Sequence, residues 1–212
     1  MSPGMPADPI RVLTIDDHPA LREGVAAMIA PEPDIVLVGE AADGAEGLAA
    51  FRSLRPDVTL VDLQMPVMGG VEAIEAMRQE ARNARIIVFT TYEGDVQAAE
   101  ALRAGAAAYL LKSSLRRELL TTIRSVHAGR RHIPPHIAQE IAFHAADDPL
   151  SERELEVLRL VAGGHANKEI AWRLELSEDT VKGHMKSIFA KLDVGDRTQA
   201  VTVALRRGII EL

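Results

Sequence analysis

Between residues 10 and 128 the chain alternates two patterns, and this alternation limits the fold more than any other feature. Short apolar runs rich in β-branched residues occupy positions 10–15, 35–38, 58–61, 85–89 and 108–111. Amphipathic stretches at 19–30, 45–54, 70–81, 95–104 and 115–128 separate and follow them. Strictly alternating strand and helix units of this length imply a parallel sheet with helices on both faces. The strands are continuous apolar runs, as expected when both faces are covered. Gly129 is a stop for the last helix. The expected fold of this part is α/β, a doubly wound five-stranded parallel sheet.

After Gly129 the pattern breaks. The stretch "RRHIPPHIAQEIAFHAADDP" holds a Pro pair, two Arg, three His and an acidic end. It reads as a linker over 130–148, with a short helix at 135–145. The remainder is helical by pattern. "SERE" from Ser151 forms a capping box ahead of an apolar stripe at Leu155, Leu158, Leu160 and Val161. Gly163 and Gly164 end that helix, and Asn167 is the expected cap of the next, which carries Ile170, Ala171 and Leu174. Ser177 caps a third helix with Val181, Met185, Ile188 and Leu192 on one face; a fourth runs from Thr198 to Arg207. A short helix, a tight turn at Glu175–Leu176 and a longer helix starting at Ser is helix-turn-helix geometry. The expected organisation is a tail over 1–9, an α/β domain over 10–129, the linker, and a small all-α four-helix domain over 149–212.

Charge separates the two bodies. Residues 1–149 carry 14 Lys+Arg against 21 Asp+Glu, and residues 150–212 carry 10 against 10. All of the net charge of −7 therefore lies in the first part, which argues against a protein that coats nucleic acid non-specifically. Three of the four C-terminal lysines fall within 182–191. The absence of Cys excludes disulfides, thiolate metal sites and a Cys nucleophile. No apolar run approaches the roughly 20 residues needed to span a bilayer, and "MSPGMPADP" lacks a signal-peptide core. The expectation is a cytoplasmic protein without a membrane partner.

In an open, doubly wound sheet, ligands bind beyond the carboxyl ends of the strands. Each relevant strand here is apolar until its end and then turns polar: Asp16 and Asp17 after the first, Asp62 after the third, Thr90 and Thr91 at the fourth, Lys112 after the fifth. A parallel sheet brings these residues to one edge. Three carboxylates in one pocket need a cation, and carboxylate, carbonyl and water ligands suit a hard ion such as Mg²⁺. A carboxylate beside such an ion, with a hydroxyl and an ammonium nearby, is equipped to accept a phosphoryl group.

The set Asp16, Asp17, Asp62 in "DLQMPVMGG", Thr90, Tyr109 and Lys112 resembles the flavodoxin-like receiver domain of two-component response regulators. "LSERELEVLRLVAGGHANKEIAWRLELSEDTVKGHMKSIFAKLDV" resembles the LuxR-type helix-turn-helix, and together they resemble a response regulator of the NarL/FixJ type. The resemblance implies that Asp62 takes a phosphoryl group from a sensor histidine kinase. It implies Mg²⁺ bound by Asp17, Asp62 and the backbone carbonyl of Gln64, with Asp16 acting partly through water. Lys112 and the Thr90 hydroxyl would hold the phosphoryl group, and Tyr109 would swing inward as Thr90 moves. Beyond self-phosphorylation and slow autodephosphorylation at Asp62, no enzyme activity is implied. The expected partners are the kinase, double-stranded promoter DNA, a second copy of the chain when active, and RNA polymerase as a further candidate.

In such a motif the second helix enters the major groove with its N-terminal residues at base edges. Lys182, Gly183, Lys186 and Ala190 face outward; Lys182 and Lys186, one turn apart, reach guanine edges or phosphates. Lys168, Thr180, Lys191, Arg197 and Thr198 are candidate phosphate contacts. Gly183 replaces the larger side chain usual in the family, and Trp172 stands where relatives usually carry a polar residue; local packing is the expected role of Trp172 and of His184. Two rival functions are weaker. A phosphatase of the haloacid-dehalogenase type wants an Asp where Gln64 stands, and no phosphate-cradling GxxxxGK[ST] loop occurs. A constitutive DNA-binding protein leaves the acidic set without a purpose.

Overall fold

The computed structural model describes residues 8–91 and 94–210. The tail expected over 1–9 lies outside these residues except for Asp8 and Pro9, which are exposed. Among the described residues, those up to 91 together with 98–135 form one compact unit, and 94–97 together with 136–210 form another.

The first unit is built on strands β1 (Ile10–Ile15), β2 (Ile35–Ala41), β3 (Val58–Val61), β4 (Ile86–Thr90) and β5 (Ala108–Leu111), all parallel, in the order β2-β1-β3-β4-β5. Between and after them run α1 (Pro19–Ile29), α2 (Gly44–Leu54), α3 (Gly70–Glu80), α4 (Asp95–Ala104) and α5 (Leu115–His127). The doubly wound five-stranded sheet expected from the alternation is thus present. Every residue of β3, β4 and β5 is buried, which explains why these runs are apolar without alternation. One face packs Val12, Leu60, Phe89 and Leu110 against Val25 and Ile29 of α1 and Leu119, Ile123 and Val126 of α5. Asp43 caps α2 by accepting from the amides of Ala45 and Glu46, so its short polar side chain replaces the missing turn of backbone acceptors.

The stretch after α5 is more ordered than a bare linker. His132 pairs in parallel with Ala108 on the free edge of β5. The Tyr109 amide donates to the His132 carbonyl at 2.8 Å, and the His132 amide to the Ala107 carbonyl at 3.2 Å. This covers backbone groups that an edge strand otherwise leaves open. Helix α6 (Pro135–Phe143) follows, shorter by two residues than the expected 135–145.

The second unit holds α7 (Glu152–Ala162), α8 (Asn167–Arg173), α9 (Glu178–Leu192) and α10 (Arg197–Arg207) around a core that includes Val157, Leu158, Val161, Ile170, Val181, Met185, Ile188, Ala200 and Ala204. The Ser151–Glu154 capping box forms as the sequence indicates. The core stripe of α7 is Val157, Leu158 and Val161, with Leu155 and Leu160 only half-buried. The turn between α8 and α9 places Glu175 at φ 55°, and the Leu176 amide reaches back to the Ala171 carbonyl at 2.8 Å. No helix among the described residues is long and apolar enough to cross a membrane.

Candidate functional site

Register assembles the acidic site. Ile15 pairs with Val61, so Asp16 and Asp62 leave adjacent strands at the same level; Thr90 pairs with Leu111, so Lys112 leaves β5 one residue beyond it. The site lies at the switch in strand order, where β1 is flanked by β2 and β3 and the connections diverge. Asp16 is 1% exposed and Asp62 3%. Lys112 Nζ stands 2.7 Å from Asp16 Oδ2 and 2.7 Å from Asp62 Oδ2. The Leu63 amide donates to Asp62 Oδ1 at 2.7 Å, and the His18 amide to Asp16 Oδ1 at 2.8 Å. The Asp62 amide donates to the Ile15 carbonyl at 2.9 Å, locking the end of β3 to that of β1.

Burial pushes the Asp62 carboxyl above its ordinary range, and the Lys112 ammonium pulls in the opposite direction without fully offsetting it; the nearby Asp16 charge adds to the rise. The pocket therefore holds a costly carboxylate whose charge is under-compensated by protein groups. Asp16 Oδ2 and Asp17 Oδ1 are buried and take no hydrogen bond. Lys112 Nζ and His18 Nδ1 approach these atoms closely, but outside hydrogen-bonding directions. An all-oxygen acidic cluster with unsatisfied buried oxygens fits a hard divalent cation, so Asp16, Asp17 and Asp62 are compatible with Mg²⁺.

Thr90 ends β4 and is fully buried, as is Tyr109 in the middle of β5. Gln64 is half-buried in the loop after β3. That loop is shaped by Gly70: a Cβ there would collide with the Asp62 carbonyl oxygen and lie 2.7 Å from Leu63 Cα. The Gly70 amide donates to the Leu63 carbonyl at 2.9 Å, so α3 begins pressed against the backbone of the acidic residue.

In the helical unit, α9 buries Val181, Met185, Ile188 and Leu192, and Lys182, Gly183, Lys186 and Ala190 are exposed, as expected from the spacing. Ser177 caps α9 by accepting from the Thr180 amide at 3.0 Å, which leaves Thr180 at the exposed first turn. Lys182 is held by Asp179 at 3.1 Å and Glu178 at 3.5 Å, and these carboxylates raise its pKa. Lys168, Lys186 and Thr198 are exposed. Lys191 and Arg197 make contacts within the unit. Lys191 Nζ contacts Glu154 at 3.0 Å and Asp148 at 3.4 Å, and Arg197 donates to the His165 carbonyl and to Asn167 Oδ1.

Three local expectations change. Asn167 is not the cap of α8; the helix begins there with Ala166 outside it, and Glu169 accepts from the Ala166 amide at 2.8 Å while the Asn167 side chain serves Arg197. The fourth helix starts at Arg197 under an Asp196 cap rather than at Thr198. Trp172 does not pack locally: it is 81% exposed on α8. Two participants escaped the sequence reading. His18 lies within the acidic cluster, and the only signal for it was its place directly after Asp16 and Asp17. Glu154 ties α7 to α9 through Ser187 Oγ at 2.6 Å and Lys191, a pairing no local pattern reveals.

Comparison with known proteins agrees with both units. The response regulator receiver domain family matches residues 12–124, and the bacterial regulatory proteins of the luxR family match residues 148–204. The chain is 40% identical over 209 residues to the transcriptional regulatory protein LiaR of Bacillus subtilis (strain 168), covering 95% of this chain and 99% of that one. It is 37% identical over 202 residues to the nitrate/nitrite response regulator protein NarL of Escherichia coli (strain K12), covering 91% and 94%. Among solved structures it resembles the response regulator ChrA of a heme-sensing two-component system, with TM-score 0.58, 33% identity and 96% and 100% coverage. It also resembles RcsB of Salmonella enterica serovar Typhimurium bound to a promoter in the presence of phosphomimetic BeF3⁻, with TM-score 0.70, 26% identity and 92% and 98% coverage. With a receiver-type acidic pocket in one unit and a helix-turn-helix in the other, the chain belongs to the response regulators that join a receiver domain to a LuxR-type DNA-binding domain.

Proposed function

We propose that this protein is a transcription regulator switched by phosphorylation of Asp62, with a receiver over 10–129 joined by residues 130–148 to the DNA-binding domain. The observation that carries the reading is the register-built cluster of Asp16, Asp17, Asp62 and Lys112, in which one buried carboxylate is left short of positive charge. Asp17, Asp62 and the Gln64 carbonyl would hold Mg²⁺, with Asp16 acting through water, and the ion would supply charge neutralisation for the phosphoryl oxygens. Asp62 attacks phosphorus while the bond from phosphorus to the kinase histidine breaks. Lys112, already 2.7 Å from Asp62 Oδ2, stabilises the added charge. Thr90 and Tyr109, on neighbouring strands, carry the change to the surface of the receiver.

The output is α9 in the major groove. Lys182, Gly183 and Lys186 face base edges, with Lys168, Thr180 and Thr198 at phosphates; Lys191 and Arg197 are to support this face from within. Dimers form on paired half-sites, which raises effective affinity.

The test combines a small acyl phosphate with Mg²⁺, a phosphate-affinity gel, and titration of DNA selected by the protein from a random-sequence pool. Wild type is labelled and binds the selected DNA more tightly once labelled, and Asp62→Ala does neither. Absence of label on wild type refutes the switch, and label without a change in DNA affinity refutes the coupling.

A further inference from the structure

Resting on the reading of the acidic pocket as a divalent-cation site, we propose that His18 is a fourth ligand there, so that the pocket takes a divalent transition ion of the cobalt and zinc class through an imidazole nitrogen. Asp16, Asp17, His18 and Asp62 each present one ligand atom, and these atoms all lie within 4.8 Å of one another. Two ligand atoms on opposite sides of one ion, each about 2.1 Å from it, are about 4.2 Å apart. The set therefore needs only a contraction of a few tenths of an ångström. The side chain best able to supply it is His18, 63% exposed, at the rim of a group in which Asp16 and Asp62 are buried and Asp17 is half-buried.

Two further observations point to a cation. Asp16 Oδ2 and Asp17 Oδ1 are buried atoms that take no directed hydrogen bond, although Lys112 Nζ lies 2.7 Å from the first and His18 Nδ1 2.6 Å from the second. Three carboxylates against the one Lys112 ammonium leave two charges uncompensated, the charge of one divalent ion. Asp16 and Asp62 are also held from behind: the His18 amide fixes Asp16 Oδ1 at 2.8 Å, and the Leu63 amide fixes Asp62 Oδ1 at 2.7 Å. Such outer contacts orient ligands and strengthen metal sites.

Ligand type then decides the ion. Carboxylates and carbonyls alone suit Mg²⁺ and Mn²⁺, and an imidazole moves preference toward cobalt, nickel and zinc. His18 Nδ1 lies 2.6 Å from Asp17 Oδ1 and is hydrogen-bonded with Asp16 Oδ1 at 3.2 Å, so its nitrogen is already among the carboxylate oxygens, and an ion would take the place of these contacts. Metal selectivity of the input pocket would then be set by the residue after the acidic pair, and a transition ion would compete with Mg²⁺ for the phosphorylation site.

The full chain is titrated with Mg²⁺, followed by calorimetry, and with Co²⁺, followed by its visible absorption and by proton NMR. Wild type, His18→Ala and Asp62→Asn are compared, with circular dichroism as a check that each folds. Expected are a loss of at least tenfold in Co²⁺ affinity in His18→Ala with Mg²⁺ affinity held within twofold. A paramagnetically shifted, exchangeable imidazole proton is present in wild type and missing from His18→Ala. Equal Co²⁺ binding by wild type and His18→Ala overturns the ligand role of His18 while leaving the Mg²⁺ site standing. Co²⁺ binding that persists unchanged in Asp62→Asn assigns the ion to surface histidines and also overturns it. Failure of wild type to bind Mg²⁺ at millimolar concentration overturns the cation site itself, and the inference with it.

Discussion

Glu154 offers the sharpest quantitative test of how the DNA-binding unit is held together. It is 5% exposed, yet it accepts from the Ser151 amide at 2.7 Å, Ser151 Oγ at 2.9 Å, Ser187 Oγ at 2.6 Å and Lys191 Nζ at 3.0 Å. Burial alone pushes its carboxyl up, but the bonds from Ser187, Ser151 and Lys191 outweigh that and bring it to about 2, from an ordinary value of 4.5. One pK unit is worth about 1.4 kcal/mol, which bounds the charge-dependent stabilisation at about 3 kcal/mol. Solvent screening around a rim-lying pair reduces this to about 2 kcal/mol. The group is depressed on folding, so its contribution is complete above about pH 5, fades as pH falls below 4.5, and is mostly gone near pH 2. Glu154→Gln keeps the shape and removes the charge. Amide exchange read separately in α7 and α9 then speeds up about thirtyfold at pH 7, the equivalent of about 2 kcal/mol. After correction for intrinsic rates, the ratio of mutant to wild type shrinks to a few-fold at pH 3. A ratio that stays constant between pH 7 and pH 3 refutes the charge-based account, and a ratio near one at pH 7 refutes any structural role for the cluster.

Three further outcomes follow from close contacts and open faces. Gly70→Ala forces a methyl into the Asp62 carbonyl, which should lower receiver stability in urea unfolding by about 2–3 kcal/mol and cut phosphoryl labelling of Asp62. A Cβ at Gly183 meets nothing within 4 Å, so Gly183→Ala should stabilise α9 by about 1 kcal/mol in amide exchange, while weakening binding to selected DNA because the methyl occupies the exposed face between Lys182 and Lys186. Lys112→Met removes the cation that faces Asp16 and Asp62, so calorimetry should show Mg²⁺ bound at least as tightly as by wild type, while a phosphodonor no longer alters DNA affinity.

The alternation of apolar runs and amphipathic stretches was enough to read the parallel sheet because β3, β4 and β5 are buried on both faces, whereas the helices bury one. The acidic site was legible for the same reason: polarity beginning at the end of an apolar strand has one location in a parallel sheet. His18 was hidden because a histidine after two aspartates has no periodicity to mark it, and its place depends on how the chain turns into α1. The pairing of His132 with β5 was hidden because a single bridge leaves no alternating pattern, only a backbone that happens to run along an edge. Asn167 looked like a cap because its residue type favours one, but the competing donor, Arg197, lies thirty residues away. Local packing was the expectation for Trp172; here α8 has a short buried face of Ile170 and Ala171, and Trp172 falls outside it.

The cation balance of the helical unit constrains how it can hold DNA. Its net formal charge from residue 150 to 212 is zero. Lys182 is paired with Asp179 and Glu178, and Lys191 with Glu154 and Asp148, whereas among the described residues Lys168 and Lys186 have no ion-pair partner. A single copy thus brings few uncommitted cations to the phosphates, and binding must first separate Lys182 from its carboxylates. Counterion release makes the logarithm of affinity fall with the logarithm of salt concentration at a slope of about −0.9 per phosphate contacted. With about three or four contacts per copy, one copy gives a slope near −3, and the proposed dimer gives about twice that. Titration of a selected half-site and of a paired site between 50 and 200 mM salt, roughly the range over which such slopes are read, distinguishes the two. Phosphorylated protein on a paired site should show about double the slope of unphosphorylated protein on a half-site. Equal slopes would mean that phosphorylation tightens binding through a single copy, and that Lys182 is released from Asp179 and Glu178 without help from a second helix.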